Sequence, residues 1–176
     1  ANDGASGVAV ILELAKIMKK NPPPIGVSLV LFDAEDYGTS ADSWSYAKGS
    51  QFFAQNIPIN YPMYAINLDM IADREPEFYI ERYSYQQNPT LVLELWELAE
   101  SLNLKTFKKQ AKYTIFDDHV PLYQMAGIPA IDIIDFDFPN EKTNYHHTHQ
   151  DIVQNCSPKG LGEVGTLMLN HIYNIK

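Results

Sequence analysis

Two short apolar runs in this chain, Val27–Phe32 and Met63–Leu68, both lead into carboxylates. Glu35 and Asp36 follow the first within a few residues, and Asp69 follows the second directly. Runs of this length are too short for helices and read as strands covered on both faces, the pattern of a parallel sheet. Stretches of helical period alternate with them. Val8, Ile11, Leu12, Ala15 and Met18 mark a helix from about Ala5 to Lys19, ended by Pro22-Pro23-Pro24, and Leu91, Leu95, Leu98 and Leu102 mark a second over Pro89–Leu102. Phe78–Ile80 and Pro129–Ile134 read as further strands, Ser50–Gln55 and Val120–Met125 as short helices, and Pro158–Ile172 as the closing helix. Asp118 is placed to cap the helix that Gly127 terminates. Tyr37–Lys48 is polar and rich in small residues, hence a long loop. The alternation implies an α/β fold, a mostly parallel (mixed) central sheet flanked by helices on both faces, in a single domain over residues 1–176.

Open α/β sheets build their sites at the carboxyl ends of their strands. Asp3, at the start of the first helix, Glu35 and Asp36, Asp69, and the cluster His146, His147 and His149 are placed for such a site. Zinc takes nitrogen and oxygen ligands from separate segments and leaves one position open for substrate, which these residue types satisfy. Each has a plainer reading when taken alone. Asp3 is an ordinary helix cap, Glu35 and Asp36 are loop charges, and the histidines are a surface cluster or a zinc site local to one loop. That last reading leaves the acidic strand ends unexplained, so one histidine reaching a site shared with the carboxylates is preferred. Asp117-Asp118-His119 is a further polar triple beside an apolar helix. Ser6 lacks the strand-side glycine of a nucleophile elbow, and no Gly-rich phosphate loop follows a strand.

The formal net charge of −9 argues against nucleic acid or an anionic membrane as partner. The one dense positive stretch, Lys105–Lys112, reads as a solvated surface segment. No run approaches the ~20 apolar residues of a membrane span, and a single cysteine, Cys156, excludes an internal disulfide. A motif at the third residue implies further sequence upstream. With it would go any targeting segment, so a secreted, periplasmic or membrane-anchored location is expected.

Taken together, Asn2-Asp3-Gly4-Ala5-Ser6-Gly7, Phe32-Asp33-Ala34-Glu35-Asp36, Leu68-Asp69-Met70-Ile71, Asp117-Asp118-His119, Gly127-Ile128-Pro129 and His147-Thr148 with Asp151 resemble the zinc aminopeptidase clan that includes the animal-type and bacterial glutaminyl cyclases. The resemblance spans the whole chain and implies a zinc-exopeptidase-like fold without its N-terminal strands. It implies Asp3, Asp36 and His147 as metal ligands and Glu35 as general acid/base. Asp69 would be a ligand in a two-zinc aminopeptidase and a hydrogen-bonding relay in a one-zinc cyclase, with Asp117 extending that relay. Trp44, Phe138 and His146 are the candidate substrate-pocket residues, although cyclases usually carry Trp where this chain has His146. The long stretch between the paired acids and Gly49-Ser50 resembles the cyclases. The implied substrates are peptide or protein amino termini. Cyclisation of N-terminal glutamine is the first reading, aminopeptidase hydrolysis the second, and a zinc-free binding domain the third. Relatives carry a cis peptide after the first ligand, which the resemblance extends to Asp3–Gly4 when zinc and upstream strands are present.

Overall fold

The first helix, α1 (Ala5–Lys20), forms where Val10 and Leu14 recur on one face and are buried, with Lys19 and Lys20 completing its last turn. Asn21 ends it ahead of the prolines. The computed structural model describes residues 1–58 and 60–175. Within them, β1 (Ala65–Asp69) pairs in parallel with β4 (Ala130–Ile134), with Ala65 opposite Ala130 and Asp69 opposite Ile134. A second parallel pair joins β2 (Phe78–Ile80) to β3 (Phe107–Ala111), with a register irregularity after Tyr79. Two-residue strands β5 (Pro139–Asn140) and β6 (Thr143–Asn144) close an antiparallel hairpin.

Side chains alternate across β4, as strand geometry requires. Ile131 and Ile133 join Leu68 in the main core beneath α1, α4 (Pro89–Ser101) and α6 (Pro158–Asn174). Ala130 faces the other way, with Leu122 of α5 (His119–Ala126) and Phe53 of α2 (Lys48–Gln55). Helices therefore cover both faces. The contact between α1 and β1 is so close that a Cβ on Gly7 would lie 1.9 Å from the Leu68 carbonyl oxygen. Only glycine fits there. Among the described residues no helix is long and apolar enough to cross a membrane.

Three expectations need correction, and one helix went unread. Val27–Phe32 forms no strand, and Leu29 and Leu31 are 40% and 54% exposed instead of covered. Strand geometry needs a neighbour to share hydrogen bonds, and no described strand pairs with this segment. Asp118 sits at the start of α5 but makes no capping bond, because its own backbone is already helical (φ −50, ψ −28). The lysine-rich stretch holds β3. Phe107 packs tilted against Phe78 at 5.0 Å and edge-on to Trp96 at 5.4 Å, which anchors the strand while its lysines reach toward water. A helix absent from the sequence reading, α3 (Arg82–Gln87), is capped by the Glu81 carboxylate, which accepts from the N–H groups of Tyr83 and Ser84.

Candidate metal centre

Asp3 is aimed by the residues around it. Asn2 Oδ1 accepts the Ala72 N–H at 2.7 Å, Ser6 Oγ accepts the Ile71 N–H at 2.9 Å, and Asp151 Oδ2 accepts the Asp3 N–H at 3.1 Å. The start of α1 is thereby tied to the chain just beyond β1. Gly4 adopts φ 65 and ψ −46 while the Ala5 N–H bonds the Asp3 carbonyl at 2.8 Å, a γ-turn that a side chain at Gly4 would strain. The Asp3–Gly4 peptide is trans, and among the described residues the cis bond is Phe138–Pro139. The tight turn after Asp3 is made by a positive φ.

Asp69 lies at the end of β1, where its Oδ1 accepts the N–H of Gly4 and of Met70, each at 2.8 Å. Glu35 and Asp36 sit on a segment returned to itself by backbone bonds from Ala47, Lys48 and Gly49 to the carbonyls of Glu35, Ala34 and Asp33. His147 Nε2 comes within 2.8 Å of Asp36 Oδ1 and 3.4 Å of Asp3 Oδ2. His146 stacks on His147, with ring centroids 3.7 Å apart, and its Nε2 is 3.8 Å from the same Asp3 oxygen. Ala34, Met70 and His147 all have positive φ. Left-handed backbone at non-glycine residues costs free energy and gathers at functional sites, and here it occurs beside Glu35, beside Asp69 and at His147 itself.

These groups share a cavity of about 370 Å³. Its remaining walls include Tyr113, Ile115, Phe116 and Phe136, with Asp117 beside Glu35 and Asp69. Burial, the charge of Asp117 and a hydrogen bond with Asp36 raise the Glu35 carboxyl to about 10. Burial and the charge of Asp3 raise Asp69 to about 7, against the lowering effect of its two N–H donors. Burial pushes Asp117 well above the usual carboxylate range and brings Asp118 to about 6. Burial and the neighbouring His147 lower His146. So dense a group of carboxylates cannot all ionise without a cation among them. Atoms sharing a tetrahedral zinc lie about 3.3 Å apart, given Zn–N and Zn–O bonds near 2.0–2.1 Å. His147 Nε2 stands 2.8 Å from Asp36 and 3.4 Å from Asp3, which bracket that value, and the donor atoms of Asp3, His146 and His147 all lie within 4.8 Å of one another, so the donors gathered around His147 fit the metal.

Two pocket assignments fail. Phe138 is fully buried against Met70 and Ile134 and does not line the cavity. Phe136, two residues earlier, does, and it packs on His146 at 5.1 Å. Trp44 stands behind the wall, edge-on to Phe116 at 5.1 Å. His146 lines the cavity. The sequence reading also missed the buried layer behind Asp117. Asn67 donates to Asp117 and Asp132, and His119 lies between Glu81 (3.2 Å) and Asp132 (3.9 Å). An acid within the apolar run Ile131-Asp132-Ile133 was the available signal.

The model of peptidase family M28 matches residues 1–172. Aminopeptidase YwaD of Bacillus subtilis (strain 168) is 27% identical over 98% of this chain and 37% of its own length. The crystal structure of Tannerella forsythia glutaminyl cyclase is 36% identical, with a TM-score of 0.93, over 99% of this chain and 64% of that one. A Zn-dependent exopeptidase from Parabacteroides distasonis ATCC 8503 is 34% identical, with a TM-score of 0.92, over 99% and 63%. The chain thus spans less than two thirds of the length of each relative.

Proposed function

We propose, from the premise that this chain belongs to peptidase family M28 and shares the α/β fold of a Zn-dependent exopeptidase, that it carries the active site of a zinc enzyme acting on peptide amino termini. The reaction we assign is cyclisation of N-terminal glutamine to pyroglutamate with release of ammonia. The observation that supports this reading is the match to Tannerella forsythia glutaminyl cyclase, 36% identical with a TM-score of 0.93 over 99% of this chain. Asp69 Oδ1 accepts two backbone N–H groups, which leaves Oδ2 for a relay bond. Asp3, Asp36 and His147 would hold one zinc. When bound, the metal supplies Lewis acidity toward the side-chain amide carbonyl of the substrate.

This chain's own residues handle the proton. Glu35 faces the cavity, and in its ionised form, which a cation among these carboxylates favours, it takes a proton from the attacking α-amine and returns it to the departing ammonia. Asp117 sustains the proton affinity of Glu35 because two neighbouring carboxylates resist ionising together. Tyr113, Phe116 and Phe136 present aromatic walls to the substrate.

Replacing Glu35 with Gln tests the reading. Ammonia release from a Gln-initiated peptide is expected to fall about 10²–10⁴-fold while bound zinc, counted by elemental analysis, stays at one per chain. Loss of zinc in this variant would exchange the roles of Glu35 and Asp36. Release of free N-terminal amino acids by a protein holding two zincs would establish the aminopeptidase reading instead.

A further inference from the structure

We infer that His146 is an additional zinc ligand, so that the resting site holds its metal with two adjacent imidazoles and the carboxylates of Asp3 and Asp36. The inference rests on the one-zinc reading above and concerns the residue at which this chain departs from the cyclases.

Successive side chains of an extended segment point to opposite sides. His146 and His147 do not. The left-handed backbone of His147 (φ 56) folds the two rings onto one side, stacked 3.7 Å apart at an interplanar angle of 29°. Both Nε2 atoms then approach the same oxygen, Asp3 Oδ2, at 3.8 and 3.4 Å, and the donor atoms of Asp3, His146 and His147 lie within 4.8 Å of one another. Phe136 backs the outer imidazole at 5.1 Å, and the side chain is only 21% exposed. Among the described residues, no hydrogen bond uses the His146 ring. The negative charges that act on it are the carboxylates of Asp3, Asp36 and Asp151.

Two imidazoles and two carboxylates complete a tetrahedral zinc, whereas a working catalytic zinc keeps one position open. Of the two imidazoles His146 lies farther from Asp3 Oδ2, at 3.8 against 3.4 Å, so it would be the ligand that yields to substrate. A Trp at this position contributes a wall and no donor. Here the wall residue doubles as a ligand that closes the site until a substrate carbonyl takes its place.

Zinc K-edge X-ray absorption on the zinc-loaded protein counts bound imidazoles without reference to activity. Two are expected in the wild type and one in His146→Phe, which keeps an aromatic ring against Phe136. Zinc affinity, by chelator competition, is expected to fall at least the about 10- to 100-fold that loss of an outer-shell partner costs. One imidazole in the wild type, or affinity unchanged within about twofold on substitution, overturns the inference while leaving the one-zinc reading standing. A wild type that takes up no zinc overturns both. Should His146→Phe fail to fold, the wild-type imidazole count and the variant His146→Gln decide the matter.

Discussion

Replacing Glu81 with Gln would remove a charge but almost no volume, at a position with no exposure to water. The carboxylate accepts from the N–H groups of Tyr83 and Ile115 at Oε1, and from the Ser84 N–H, the Ser84 hydroxyl and His119 Nε2 at Oε2. Burial alone would push Glu81 up, but the hydrogen bond and charge of His119 and the N–H groups of Ser84 and Tyr83 overcome it and bring the group to about 2. Set against an ordinary 4.5, that difference corresponds to about 3 kcal/mol of stability at ~1.4 kcal/mol per unit. The folded value lies below the unfolded one, so this contribution is complete above about pH 4.5 and is lost as the pH falls through about 2. A glutamine amide also turns an NH₂ toward donors, leaving one set of N–H groups without an acceptor. Glu81→Gln is therefore expected to lose about 3 kcal/mol at pH 7, a large part of the 5–15 kcal/mol typical of a domain, and to melt about 6–12 °C lower. Urea denaturation of both proteins at pH 7 and pH 3 measures this, and the gap should shrink to about half at the lower pH. A variant within about 1 kcal/mol of wild type at pH 7, with the same acid slope, would refute the reasoning.

Lys112 joins Asp137 at 2.6 Å and Glu141 at 2.5 Å while lying 5.1 Å over the Tyr113 ring, so it links the hairpin to a wall of the cavity. Lys112→Met is expected to raise KM for a Gln-initiated peptide about fivefold with kcat little changed, as steady-state kinetics would measure. Burial raises Asp135 to about 7, above its ordinary 3.8, so its ionisation opposes folding and stability falls as the pH rises through that interval. Asp135→Asn should flatten the slope of unfolding free energy between about pH 4 and pH 7. Gly7→Ala would ordinarily favour a helix by about 0.5–1 kcal/mol, but the clash with Leu68 should make it destabilising by about 1–3 kcal/mol in urea denaturation.

Helices α1 and α4 were legible because their apolar positions recur at the helical period, and strand β4 because its apolar run is too short for a helix, all within one stretch of chain. Val27–Phe32 carries the same local pattern yet forms no ladder, since a strand's hydrogen bonds belong to its neighbour and not to its own residues. β3 failed in the opposite direction. Its lysines obscured a strand that Phe107 holds in place through contacts with Phe78 and Trp96, both distant in sequence. Among pocket residues, Phe136 and Phe138 are indistinguishable in sequence, and only the path of the chain after β4 turns one toward the cavity and the other into the core.

The sequence by itself determined the principal helices, strands β1 and β4, the acids that follow apolar runs and the histidine pair, because each depends on residue type and short-range spacing. Tertiary structure alone decided which carboxylates share a cavity, that Asp69 is engaged by backbone N–H groups, that His146 turns to the same side as His147, and that Glu81, His119 and Asp132 form a buried layer behind Asp117. Proton affinities and donor geometry depend on distances of a few ångströms between segments far apart in the chain, and only the packing of the two helical layers on β1 and β4 sets those distances.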